Sequence, residues 1–146
     1  MLNRLHIQNY AIIDDIEIVF SGKLNIITGE TGAGKSILMG ALSLILGDRA
    51  DLAALRNREK KCFVEAVFSA DNKKNIREFL KQEDLDAEDE LVIRREINVN
   101  GKSRSFVNDT PVNLEQLRRL SSMLVDLHQQ FDTMDLGDAG FQREVI

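Results

Sequence analysis

The chain has 146 residues, the length of one ordinary domain: enough to bury a core, and crowded for two. Hydrophobic residues make up 43% and charged residues 29%, which excludes a disordered chain, and no apolar run approaches the ~20 residues of a membrane helix. The net charge of −5 gives no support for a domain that coats nucleic acid through its overall charge, and leaves room only for a local basic patch.

The opening stretch MLNRLHIQNYAII has charge and polarity scattered through it, so no signal peptide is read there. From Leu2 to Tyr10, apolar and polar residues alternate around Leu5, Ile7 and Asn9, the pattern of a half-buried strand. Residues 12–20 repeat it, with Ile16, Ile18 and Phe20 on one side and Asp15, Glu17 and Val19 on the other. Ser21-Gly22-Lys23 reads as a turn, and 24–28 as a short apolar central strand. A glycine-rich loop follows, then a helix starting at about Gly34. Its broad apolar face holds Ile37, Leu38, Ala41, Leu42, Leu44, Ile45 and Leu46, and Gly47 is its expected C-cap.

Residues 48–61 form a polar connector carrying Arg49, Arg56 and Arg58. A strand is predicted over 62–68, where the lone Cys62 is expected to be a buried small hydrophobe. With a single cysteine no internal disulfide forms, which fits a reducing, cytoplasmic setting. A helix is predicted over 73–81. Residues 82–90 hold six acidic side chains and read as a solvated loop, with an acidic docking site as the alternative. A strand over 91–99 meets Asn100-Gly101, a hairpin signal that calls for positive φ at both positions, and 103–107 returns as its partner. Thr110-Pro111 leads into a helix with a capping box of Asn113 and Gln116 and a stripe of Leu114, Leu117, Leu120 and Leu124. Residues 123–127 are a possible further strand.

The chemistry concentrates at Gly29-Glu30-Thr31-Gly32-Ala33-Gly34-Lys35-Ser36, a full match to G-x-x-x-x-G-K-[ST] between an apolar strand and an apolar helix. The glycines let the backbone curl so that its N–H groups point at phosphate oxygens. The helix N-terminus adds roughly half a positive charge there. Lys35 is expected to reach the β- and γ-phosphates, and the Ser36 hydroxyl to ligate Mg²⁺. With Ile37, these residues form the nucleotide-binding set. Hydrolysis further needs an acidic residue at the end of a strand. Asp126 follows only Met123-Leu124-Val125, and is either that residue or a structural strand-end aspartate. Arg94, Arg95, Lys102 and Arg104 surround the Asn100-Gly101 hairpin; on alternating strand positions some of them share a face that could meet a phosphate backbone, or they are ordinary solvated charges.

The segments TGETGAGKSIL, IRREINVNGKSRSFVNDTPVNLEQLRRL and LVDLHQQFD resemble those of the SMC-like ABC ATPases, and most of all their branch that acts in DNA double-strand-break repair. The resemblance covers essentially the whole chain. It implies an α/β fold of the P-loop NTPase (ABC/SMC) type: the N-terminal lobe of a split head, with a mixed β-sheet around the phosphate-loop helix and an antiparallel hairpin region. Residues 1–146 would then be a fragment stopping near the base of a coiled coil, the C-terminal lobe lying beyond it. The family's His-Gly-Gln-His stretch reads His128-Gln129-Gln130-Phe131 here, which implies Gln130, or its neighbour Gln129, as the residue that helps hold Mg²⁺ and the attacking water. His128 has no His/Cys cluster around it to suggest a metal site. The connector of related heads carries an arginine that senses DNA or nucleotide, a role open to Arg49, Arg56 or Arg58. The implied cofactors are ATP and Mg²⁺. The implied partners are the C-terminal lobe, a second head in a homodimer, and DNA as duplex ends or single strands. A cytoplasmic, nucleoid-associated setting and no membrane go with them. Two other readings are a self-sufficient small P-loop kinase or NTPase using Asp126, and a non-catalytic module that nucleotide regulates. The first lacks a guanine-specifying Asn-Lys-x-Asp and an arginine-rich lid.

Overall fold

The computed structural model describes residues 2–19, 32–50, 55–69, 74–85 and 90–124, with residues 32–35 as backbone. The two period-two runs become strands β1 (Leu2–Tyr10) and β2 (Ile13–Val19); the other strands are β3 (Cys62–Ser69), β4 (Glu90–Ile97), β5 (Ser103–Val107) and β6 (Thr110–Val112). They line up as β2-β1-β3-β4-β5-β6, and each neighbouring pair is antiparallel. The expected strand 24–28 and residues 125–127 of the possible last strand lie outside the described residues. Met123 and Leu124, its first two positions, are turn and coil.

One face of the sheet is apolar because alternate residues point the same way. Leu5 and Ile7 of β1, Val64 and Ala66 of β3, and Leu91, Ile93 and Ile97 of β4 are all buried. Helix α1 (Gly32–Ile45) packs on this face over β3 and β4, burying Ala41, Leu42, Leu44 and Ile45. Helix α2 (Lys74–Gln82) buries Ile76, Phe79 and Leu80 in the same core. Helix α3 (Leu114–Ser121) adds Leu117 and Leu120. Its capping box forms as expected: the Asn113 carboxamide accepts from the Gln116 N–H at 2.7 Å, and the Gln116 side chain accepts from the Asn113 N–H at 2.9 Å. Cys62 is fully buried, and burial pushes its thiol pKa up to about 11, as suits a structural rather than a reactive cysteine.

Two turns differ from expectation. At the β4–β5 hairpin only Gly101 has positive φ, at 88°. The Gly101 N–H donates to the Asn98 carbonyl at 3.0 Å, so Val99 and Asn100 are the turn's central residues and Gly101 absorbs the left-handed step after them. The two-residue turn with both φ values positive is instead Asn108-Asp109, at 47° and 69°. It pairs Val107 with Thr110 and creates β6, where the sequence suggested a direct run into the helix. Pro111 is tolerated because β6 is an edge strand.

Gly47 ends α1 as predicted, with φ at 105°. The Asp48 N–H donates to the Ser43 carbonyl at 3.0 Å and the Gly47 N–H to that of Leu44 at 3.1 Å, the two bonds of a Schellman cap. A Cβ on Gly47 would sit 2.7 Å from Cγ of Arg118. Gly47→Ala is therefore expected to cost about 2–3 kcal/mol, from backbone strain and forced displacement of Arg118. Chemical denaturation monitored by circular dichroism measures this; a loss below roughly 0.5 kcal/mol, the range of ordinary surface substitutions, would contradict it.

Candidate functional site: a helix presented to phosphate

Helix α1 begins at Gly32, two residues earlier than the sequence suggested, so the second half of the phosphate-loop motif is already its first turn. The leading N–H groups of a helix have no partners within it. Here those of Gly32, Ala33, Gly34 and Lys35 occupy that position, and the first turn contains no acidic residue to compete for them. Ser36 is exposed at the end of that turn, and Ile37 is half-buried behind it. This donor set suits a polyphosphate: aligned N–H dipoles, a motif lysine and an accessible hydroxyl for a hard cation. Gly29, Glu30 and Thr31 lie outside the described residues, as do Asp126, His128, Gln129, Gln130 and Phe131 and residues 137–146, the expected base of a coiled coil. Among the described residues, no cluster of His, Cys, Asp and Glu could hold a metal ion.

The other end of α1 is secured by groups from elsewhere in the fold. The helix has no basic residue in its own last turn. Instead the Arg95 guanidinium reaches from β4, its Nη1 donating to the carbonyls of Leu44 and Asp48 at 2.7 Å each. Its Nη2 donates to Oγ of Ser103 on β5 at 3.2 Å. From α3, Nε of Arg118 donates to the Gly47 carbonyl at 3.1 Å, and the Ser121 hydroxyl to that of Leu46 at 2.9 Å. Burial lowers the pKa of Arg95, an effect that Asp48 opposes. At Nη1 and Nη2 the two carbonyls and the Ser103 hydroxyl replace the water that would otherwise solvate them.

The basic hairpin is thus reassigned. Arg95 is 1% exposed and faces inward. Arg94 faces outward, but it pairs with Glu96 at 3.2 Å and Glu65 at 3.7 Å and lies over the Phe106 ring at 4.7 Å. Lys102 and Arg104 are exposed. Adjacent strand residues point to opposite faces, so four cations spread over a hairpin do not form one patch. The signal that separates Arg95 was present in the sequence: it continues the inward series Leu91, Ile93, Arg95, Ile97.

The connector is organised by Asn9, which the sequence showed only as part of the alternation in β1, with no task assigned. Asn9 is buried with φ at 54°. Its amide nitrogen donates to the carbonyls of Asn57 and Lys60 at 2.9 Å and of Lys61 at 3.3 Å, and its amide oxygen accepts from the Asn57 N–H at 2.7 Å. Arg49, Arg56 and Arg58 are all exposed. Arg56 also donates to the Ile12 carbonyl at 2.8 Å, which ties the connector to the β1–β2 hairpin.

A family model for the AAA domain matches residues 4–137. The chain belongs to the AAA-domain family. Within this AAA-domain chain the match includes both the phosphate-loop motif and the antiparallel sheet. The DNA repair protein RecN of Vibrio cholerae is 38% identical over 146 residues, covering 100% of this chain and 26% of that protein. RecN of Bacillus subtilis is 37% identical over 133 residues, covering 90% and 23%. The chain therefore spans about a quarter of the length of these relatives. An SMC ATPase structure from work on ATP-driven dimerization and DNA-stimulated activation superposes with a TM-score of 0.63 at 20% identity, over 84% of this chain and 78% of that one. The recombination mediator protein RecF–ATPrS superposes with a TM-score of 0.59 at 20% identity, over 80% and 29%. The AAA-domain chain thus has the fold of one lobe of an SMC- or RecF-type P-loop ATPase head. Among its described residues, no helix is long and apolar enough to cross a membrane.

Proposed function

We propose that the chain is the ATP-binding lobe of a larger SMC-like ATPase that acts in DNA double-strand-break repair and recombination in the bacterial cytoplasm, at the nucleoid. The observation that carries this reading is α1, whose first turn is the second half of a complete phosphate-loop motif, so that its leading N–H groups have no partner within the helix. Likeness to RecN over the whole chain supports the repair context.

In this reading, the backbone N–H groups of residues 29–36 hold the phosphates, Lys35 balances their charge, and Ser36 and Gln130 hold Mg²⁺. Mg²⁺, when bound, neutralises charge on the phosphate oxygens. Gln130 orients the attacking water, and hydrolysis yields ADP and phosphate. The lobe supplies phosphate binding but not the acidic residue and signature segment expected from the C-terminal lobe and from a second head. ATP binding would draw two heads together, and hydrolysis would release them. DNA would meet the assembled protein at exposed cations such as Arg49, Arg58, Lys102 and Arg104.

The chain alone is accordingly expected to bind Mg-ATP and to release phosphate at no more than background rate, and addition of the C-terminal lobe should restore turnover. Phosphate release measured with and without that lobe tests this. Brisk turnover by the chain alone, lost on Asp126→Asn, would instead indicate a self-sufficient enzyme.

A further inference from the structure

The geometry points to Arg95 as a positioning residue of the nucleotide site, acting through α1 from the end opposite the phosphates. The inference rests on the nucleotide reading above and adds a residue far from the motif. An arginine that is 1% exposed in an apolar core needs a reason to be there, because burying a guanidinium is costly unless its donors are well used, and Nε of Arg95 is buried without a hydrogen-bond partner among the described residues. Here the bonds go to two carbonyls at one helix terminus and to the neighbouring strand. The planar fork suits this task, since it grips Leu44 and Asp48 at once while its other branch is held by Ser103. Arg118 and Ser121 fix the two carbonyls between them, so Leu44, Leu46, Gly47 and Asp48 are all held by groups outside α1.

A helix of 14 residues is a rigid rod about 20 Å long. Its first turn presents the phosphate-binding N–H groups, and its last turn is anchored to β4, β5 and α3. A rotation or slide permitted at the anchored end is carried to the phosphate end undiminished. Phosphate binding by fixed dipoles is sensitive to such shifts, because it depends on donors already in position. Arg95 would then be kept for the placement of α1 and not only for stability.

The test is Mg-ATP affinity of the chain, measured by titration with a fluorescent ATP analogue at a temperature where circular dichroism shows each variant fully folded. Arg95→Met keeps the bulk and removes the donors; its affinity is expected to fall about tenfold, the equivalent of one charge-assisted hydrogen bond at the phosphates. Arg95→Lys should recover part of the loss, since an ammonium can hold one of the two carbonyls. Val107→Ala, a core truncation in β5, should lower the melting temperature and leave affinity unchanged. A folded Arg95→Met chain with affinity within twofold of wild type overturns the inference, and so does an equal loss in Val107→Ala. If Arg95→Met does not fold, Arg118→Met, which removes one exposed side chain's bond to Gly47, should weaken binding about threefold; unchanged affinity there overturns it too. A wild-type chain with no Lys35-dependent binding overturns the nucleotide reading and this inference with it. Lys35-dependent binding that the Arg95 variants leave intact overturns this inference alone.

Discussion

Replacing Lys35 by alanine is expected to weaken Mg-ATP binding about ten- to hundredfold, the value of a charge-assisted hydrogen bond to phosphate. The backbone N–H groups at the start of α1 survive the substitution, so residual binding should persist. Calorimetric titration of the two chains gives the ratio directly. In the assembled protein the same change should remove turnover, because a lysine that reaches the β- and γ-phosphates also balances charge that builds up as the bond breaks. Equal affinity in the two chains would place any bound nucleotide away from the motif and remove the basis for the ATPase reading.

Asn9→Ala is expected to destabilise the chain by roughly 2–4 kcal/mol, from lost hydrogen bonds and an alanine forced into a left-handed backbone. Asn9 holds the connector at three carbonyls and one N–H, and its own φ of 54° is one that asparagine tolerates better than most residues. The loss should concentrate where those bonds were. Hydrogen exchange is expected to speed up at the Asn57 N–H and neighbouring amides, while the β3–β4 ladder keeps its protection. Equilibrium unfolding together with exchange mass spectrometry separates these effects. Uniform loss of protection across the sheet would mean that Asn9 supports the core and not the connector.

Much of the fold was legible because it follows local rules. Period-two patterning located β1 and β2, an apolar run β3, and the Asn100-Gly101 signal β4 and β5; Asn113 and Gln116 announced the start of α3, and Gly47 marked the end of α1. What stayed hidden depends on partners far away in the chain. Arg95 was read with Arg94 as part of a basic cluster; the inward series Leu91, Ile93 and Ile97 marks its face, but nothing nearby reveals the carbonyls some 50 positions earlier that it binds, and the bond to Leu44 spans 51 residues. Asn9 is similar, with partners 48 to 52 residues away. The Asn108-Asp109 turn was missed for a local reason: the stronger-looking Asn100-Gly101 signal drew the assignment of positive φ, and Pro111 was taken as a helix approach and not as an edge-strand residue. The phosphate loop was legible as a motif, and the structure adds the placement of α1 behind it.

The order of strands in the sheet also implies an order of events in folding. From β3 through β6 each strand pairs with the next one in the chain, so this meander and α3 can assemble through local connections, the longest being residues 70–89 with α2. The β1–β2 hairpin is equally local. Joining the two units requires β1 to find β3 across residues 20–61, a span that contains the phosphate loop, α1 and the connector held by Asn9. That closure is the slow, non-local step. Substitutions at the β1–β3 seam that hinder this closure should therefore slow folding, while those in contacts made after it should change mainly how fast the chain comes apart.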